Sequence, residues 1–269
     1  MGAKMLPRIA LQLYSLRYEL QEDFENVLEK IASIGFEGVE FAGFYGKEPD
    51  KLRELLYRLG LDVAGAHIPI NAFIESEIEK TISFNQSLGN RFLIIPGLPE
   101  ELRRTKDDWV KFSETLNSIS KKLACYKMNV GYHNHRIEFT VIEGERPWDI
   151  VFSRTSKEII MQLDIGHALA AQLSDDEIID LIKRYRGRAV TVHAKEYSKK
   201  KAEMFKDIHK GYEVVIGEGE TKWIEILKAL RDYGKTEWII IEQETYPYKP
   251  PIESVKRSFQ FLSDILTTL

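Results

Sequence analysis

Short apolar runs recur along the chain, each rich in Val, Ile, Leu or Phe, and each follows a charged stretch of helical periodicity. A glycine or polar turn joins the two, as in IASIGFEGVEF, LYRLGLDVAGAH, NQSLGNRFLIIP and CYKMNVGYHNH, and again in KRYRGRAVTVHAKE and RDYGKTEWIIIEQE. Gly35, Gly60, Gly89 and Gly234 stand where a helix takes a left-handed residue at its C-terminal end. Runs of that composition and length read as buried parallel strands. The pattern predicts strands at Ile9–Leu13, Gly38–Phe41, Asp62–Ala66, Phe92–Ile95, Asn129–Tyr132, Ile159–Leu163, Ala189–Val192 and Trp238–Ile241. Between them it predicts helices at Phe24–Ser33, Asp50–Leu59, Ile74–Leu88, Asp107–Lys127, Asp175–Arg184, Lys222–Asp232 and Ser254–Leu266. Ser174 and Glu177 have capping-box spacing, which marks a helix start.

Strands recur roughly every 30 residues, the pace of a βα unit. The expected fold is therefore α/β, a single (β/α)8 TIM barrel spanning residues 1–269. A doubly wound open sheet is the alternative, disfavoured because no Gly-rich phosphate turn follows the first strand. The stretch Glu196–Gly219 is long for a connection inside a compact domain. It reads either as a lid carrying Lys199, Lys200, Lys201, Phe205, His209 and Tyr212, or as a solvated charged loop.

Such a barrel carries its chemistry at the C-terminal ends of its strands. There the sequence places Gln12 and Tyr14, Glu40, His67, then His133, Asn134 and His135 with Glu138 just beyond. The sixth strand ends in Asp164, with His167 three residues on; the seventh ends in His193, followed by Lys195 and Glu196; the eighth ends in Glu242. Every histidine except His209 is at a strand end, whereas surface histidines would scatter over the helices. Converging carboxylates repel one another unless a cation neutralises them. One divalent metal ion meets that need, and a mixed Asp, Glu and His set suits Mn, Co, Mg or Zn. Such an ion polarises a carbonyl and stabilises the oxyanion left when a neighbouring carbon loses its proton.

Composition narrows the rest. Hydrophobic residues make up 43% and charged residues 30% of the 269, enough for a large core on a soluble surface. A net charge of −4 and a pI near 6.0 give no electrostatic footprint for nucleic acid. Cys125 is the single cysteine, so a disulfide within the chain and a Cys-based zinc site are excluded, and it is expected to be an inert, partly buried thiol. No secretory leader pattern opens the sequence and no run approaches a membrane span, so the expectation is a cytoplasmic enzyme with no membrane partner. The expected partner is a small-molecule sugar or polyol; a homo-oligomer stays open.

LQLYSLR, VEFAGFYG, GAHIP, GYHNHRIEF, LDIGHA, VHAKEY, IGEGE and the closing IIIEQE resemble the sugar phosphate isomerase/epimerase family, the xylose-isomerase-like barrels that include inosose dehydratases and ketose 3-epimerases. The resemblance runs from about Ile9 to Leu266. It implies metal ligands Glu138, Asp164, His193 and Glu242, with His133 the alternative to Glu138. It also implies proton transfer by His133, His135, Glu138, His167 or Glu242, and substrate contacts from Gln12, Tyr14, Glu40, His67, His167 and Lys195. Phe44, Tyr45 and Trp148 are candidate sugar platforms, with ordinary packing preferred. The implied activity is a metal-dependent isomerase or epimerase acting on a keto-sugar through an enediolate. The alternative is a lyase or dehydratase, favoured by histidines where ketose epimerases carry a glutamate. A nuclease of the abasic-site type and a non-catalytic sugar-binding barrel are the lesser readings.

Overall fold

In the computed structural model, which describes residues 6–269, eight parallel strands close into one barrel in sequence order. They are β1 (Arg8–Gln12), β2 (Gly38–Ala42), β3 (Asp62–His67), β4 (Phe92–Ile95), β5 (Asn129–His133), β6 (Ile160–Asp164), β7 (Thr191–Ala194) and β8 (Trp238–Ile241). β8 pairs back onto β1, from Arg8 opposite Trp238 to Leu11 opposite Ile241. The single (β/α)8 barrel is thus the observed architecture.

The helices form where apolar spacing and caps agree. The helix Phe24–Ile34 buries Phe24, Val27, Leu28 and Ile31, one stripe of a 3.6-residue period, and ends at Gly35 with φ +113°. Gly60 and Gly89 close their helices in the same left-handed conformation. Gly234 does not; Lys235 takes the left-handed position after a short π-helical turn at Leu230–Gly234. Ser174 and Glu177 form the expected capping box on Asp175–Arg184. A second box, Thr105 with Asp108, starts the long helix Lys106–Ala124.

Some boundaries differ from the sequence reading. The helix expected from Ile74 starts at Ile78, because a 3-10 turn at Ile70–Phe73 uses the preceding residues. β7 begins two residues later than expected and so carries His193 within the strand. Short helices at Arg17–Glu22, Pro147–Arg154, Ile165–Ala170 and Lys199–Phe205 had no apolar period long enough to announce them. Cys125 is exposed rather than partly buried, since the helix ends beside it.

Side chains alternate along each strand, so every second residue points into the barrel. At the N-terminal end these inward residues form an apolar plug: Ala10, Ala64, Phe92, Ile94, Ile160, Trp238 and Ile240. The larger apolar core lies outside, between strands and helices. Further up the lumen come Gln12 on β1, Glu40 on β2, His133 on β5, Gln162 and Asp164 on β6, His193 on β7 and Glu242 just past β8, all buried. Gly65 makes room for them, because a side chain there would strike the Glu40 carboxylate, 2.8 Å from an added Cβ. The strand register shifts at this point, between Val39 and Glu40.

Candidate active site

Four potential donors converge at the C-terminal mouth: His133, Asp164, His193 and Glu242, with one atom of each within 4.8 Å of the others. His193 Nδ1 is 2.9 Å from Glu242 Oε2 and 3.9 Å from Asp164 Oδ2, and His133 Nε2 is 4.0 Å from that same oxygen. Asp164 Oδ2 is buried without a hydrogen bond, since Lys195 Nζ at 3.2 Å is not aligned to donate to it. Its other oxygen accepts from the backbone N–H of His167 at 2.7 Å. A buried carboxylate oxygen that accepts no hydrogen bond, beside an ammonium, two imidazoles and a second carboxylate, fits a divalent cation.

A layer below holds these donors in place. His193 turns Nε2 toward Glu40, whose carboxylate is fully buried, at 2.5 Å. His133 Nδ1 meets Gln162 Oε1 at 3.1 Å, and His67 Nε2 meets the same oxygen at 2.8 Å. Gln12 and Gln162 each donate to Glu40 at 2.7 Å. Glu40 and Gln162 thus set which ring nitrogen of His193 and His133 faces the mouth, as partners behind metal-binding histidines commonly do.

The electrostatics follow from burial and neighbours. Burial alone would depress His193, but Glu40 and Glu242 override it and lift the imidazolium to about 10. Burial lowers His133 well below its ordinary value, and neighbouring His193 and His67 add to that, so it is neutral with a free lone pair. Burial pushes the Asp164 carboxyl up. Glu242 feels the same burial, yet Lys195 and His193 hold it well below the usual carboxylate range.

Lys195 is the cation of the mouth. Its ammonium lies 3.0 Å from Glu242 Oε2, 2.5 Å from Glu244 Oε1 and 3.0 Å from His167 Nε2. His167 is therefore an acceptor at Nε2 and donates from Nδ1 to the Tyr212 hydroxyl at 2.8 Å. Burial and then Lys195 lower its pKa well below the usual value, in keeping with a neutral ring. Above these groups opens a cavity of about 610 Å³, walled by His135, Arg136, Glu138, His167, His209, Tyr212, Glu244 and Arg103 among others. That volume suits a small-molecule substrate.

A model of the xylose isomerase-like TIM barrel family matches residues 28–265. The chain belongs to that family. The inosose dehydratase of Erwinia tasmaniensis is 23% identical over 270 residues, covering 90% of each protein. A sugar phosphate isomerase/epimerase from Parabacteroides distasonis superposes with a TM-score of 0.76 at 21% identity, covering 97% of this chain and 95% of that one. The IolI protein, a structure with a bound zinc atom, superposes at 0.73 with 14% identity, covering 97% and 98%.

Against this family frame the expected residues separate into groups. Asp164, His193 and Glu242 come together, and the fourth member is His133 rather than Glu138. Glu138 is withheld because it sits on a 3-10 turn past β5, where its two oxygens accept from the Tyr132 hydroxyl at 2.7 Å and the His135 N–H at 2.8 Å. It still reaches the cavity wall, as do His135 and His167. Gln12 and Glu40, expected at the substrate, are instead buried beneath the donors and bonded to each other. His67 stacks on His193 in that same lower layer, with ring centroids 5.2 Å apart. Tyr14 does not line the cavity; its ring lies under the Arg17 guanidinium at 4.2 Å. Phe44 packs on Phe84, Tyr45 on Phe24, and Trp148 on Phe152 within the core.

The segment after β7 is neither a bare loop nor detached. It contains a helix at Lys199–Phe205 and a 3-10 turn at Ile208–Tyr212, and it brings His209 and Tyr212 to the cavity. Glu196 anchors its far end: the carboxylate accepts from the Gly217 N–H at 3.0 Å, from Trp223 Nε1 at 2.7 Å and from the Thr221 hydroxyl. Glu244, two residues past the eighth-strand Glu242, falls where the strand ends point, whereas Arg103 and Arg136 were not foreseen as cavity residues. Arg136 lies inside the YHNH-x-x-EF stretch and is the one with a local signal; Arg103 lies in a loop whose direction no periodicity reports.

Proposed function

We propose that this barrel is a metal-dependent carbon–oxygen lyase that dehydrates a keto-polyol. The observation that carries the reading is the composition of the converging group: His133 completes it beside Asp164, His193 and Glu242. Epimerisation needs a proton carrier on each face of the sugar, which the ketose epimerases supply with two glutamates. Here a neutral imidazole stands where one of those carboxylates would be, and a single remaining base suits elimination better. The likeness to inosose dehydratases supports the same choice.

A divalent ion held by His133, Asp164, His193 and Glu242 would supply Lewis-acid polarisation of the substrate ketone. The protein's own groups do the rest. His135 lines the cavity and its ring nitrogens have no hydrogen-bond partner among the described residues, so it is free to take the proton from the carbon next to the ketone. The same imidazole then returns that proton to the hydroxyl leaving the next carbon, so one C–H and one C–O bond break and a C=C bond and water form. Lys195 sets a fixed positive charge beside the developing enolate oxygen. His167 and Tyr212 keep that ammonium aimed, since Tyr212 fixes the ring whose Nε2 faces Lys195.

The test is incubation of inososes and keto-sugars in deuterated water with Mn, Co, Mg or Zn, following the conjugated enone by its absorbance and deuterium by mass. Enone formation without accumulation of an epimer is the expected result. Deuterium entering recovered substrate together with an epimer, and no loss of water, would establish the isomerase/epimerase reading instead.

A further inference from the structure

The cavity wall contains two positive charges that the proposed elimination does not use. Arg103 and Arg136 both line it. The acids on the same wall are already committed: Glu138 to the Tyr132 hydroxyl and the His135 N–H, and Glu244 to Lys195. Among the described residues, no carboxylate lies within ion-pairing distance of either guanidinium, although most arginines here have such a partner, including Arg8, Arg58, Arg91, Arg146 and Arg184. Arg103 Nε is in addition buried with no hydrogen-bond acceptor. A buried donor left unpaired in a binding cavity calls for an acceptor from outside. A guanidinium presents its N–H groups as a planar fork that matches the paired oxygens of a carboxylate or phosphate.

We propose that Arg103 and Arg136 form an anion subsite, so that the substrate is a keto-sugar or keto-polyol carrying a carboxylate or phosphate at the end remote from the reacting ketone. The proposal rests on the reading of the site given above. The two arginines come from the loops after β4 and β5, while the donor group is built from β5 to β8. His135 and His167, each with a ring nitrogen within 4.8 Å of one on His133, line the same cavity as the two arginines, so a substrate held there meets the edge of the donor group and the guanidiniums together. Leu98 and Ile137, also in the lining, add no competing charge.

Three ligands that differ only at the far carbon separate the possibilities: D-fructose, D-fructuronate and D-fructose 6-phosphate, titrated by calorimetry into Mn-loaded protein at low salt. At least one charged ligand should bind about tenfold or more tightly than fructose, the worth of one charge-assisted hydrogen-bonded contact. Preference for the uronate identifies a carboxylate, and preference for the phosphorylated sugar identifies a phosphate. In the Arg103→Met/Arg136→Met double variant the advantage should fall to within about twofold while fructose affinity and Mn content stay at wild-type values. Equal affinity for all three ligands, or an advantage that survives in the double variant, overturns the subsite and leaves the donor site standing. Failure to bind Mn and all three ligands overturns both.

Discussion

The two ends of the barrel interior are lined by one closed set of eight strands, with β1, β6 and β8 contributing to both, and have opposite chemistry. At the N-terminal end, Ala10, Phe92, Ile160, Trp238 and Ile240 fill the lumen as apolar plug. Two residues further along the same inward faces stand Gln12 on β1, Gln162 on β6 and Glu242 beyond β8. The plug is held by dispersion and the hydrophobic effect, and it tolerates conservative change. The mouth buries Glu40, Asp164 and Glu242 together, which adds no stability that apolar packing would not supply better. A fold tolerates such a layer when function needs it.

The largest effect that sharpens this contrast comes from Asp164→Asn, which removes a buried carboxylate charge whose Oδ2 has the Lys195 ammonium beside it but accepts no hydrogen bond. Turnover should fall by about a thousandfold, the equivalent of several kcal/mol of lost transition-state stabilisation. Stability without metal, read by urea denaturation, should hold or rise because a desolvated charge is gone. A large loss of apo stability would mean that the fold depends on the Asp164–Lys195 pair, even though Lys195 also pairs with Glu242 and Glu244, and that the two ends do not differ as described. Next, a saturating divalent ion should stabilise the wild type by about 2.7 kcal/mol at a hundred times its dissociation constant, and Asp164→Asn should show no such gain.

Behind the donors, Glu40→Gln should weaken metal affinity by about 10- to 100-fold, measured by competition with a chelator, because the anchor of His193 Nε2 loses its charge. Unchanged affinity would reduce Glu40 to a filler of the lumen. The smallest effect belongs to the plug. Ile160→Val should cost about 0.5–1.5 kcal/mol of stability and leave metal affinity and turnover alone. If it altered metal affinity, the plug and the mouth would have to be treated as one unit.

The same contrast explains what the sequence could disclose. Parallel strands announce themselves as apolar runs after Gly35, Gly60 and Gly89, and polar residues that interrupt such runs at their upper ends supply the converging donor group. Asp164, His193 and Glu242 were readable in this way because Asp164 ends β6, His193 is one residue short of the end of β7 and Glu242 follows β8. Depth was not readable. Gln12, Glu40 and His67 look like mouth residues in one dimension, yet the twist and the register shift at Glu40 sink them below the donors. Direction in the loops was not readable either. Glu138 lies five positions after His133, and only the 3-10 turn at Ile137–Phe139 decides that it folds back toward Tyr132. Arg103 is hidden for the same reason, since a loop carries no period from which a facing direction can be inferred.

The central claim is that His133, not Glu138, closes the donor group. It is tested most directly by metal content after reconstitution with Mn, compared across wild type, His133→Ala and Glu138→Gln. The account predicts about one ion per chain in the wild type and in Glu138→Gln, and loss of the ion in His133→Ala, as removal of one ligand from a four-donor set requires. Retention in His133→Ala with loss in Glu138→Gln would contradict it and return Glu138 to the ligand set.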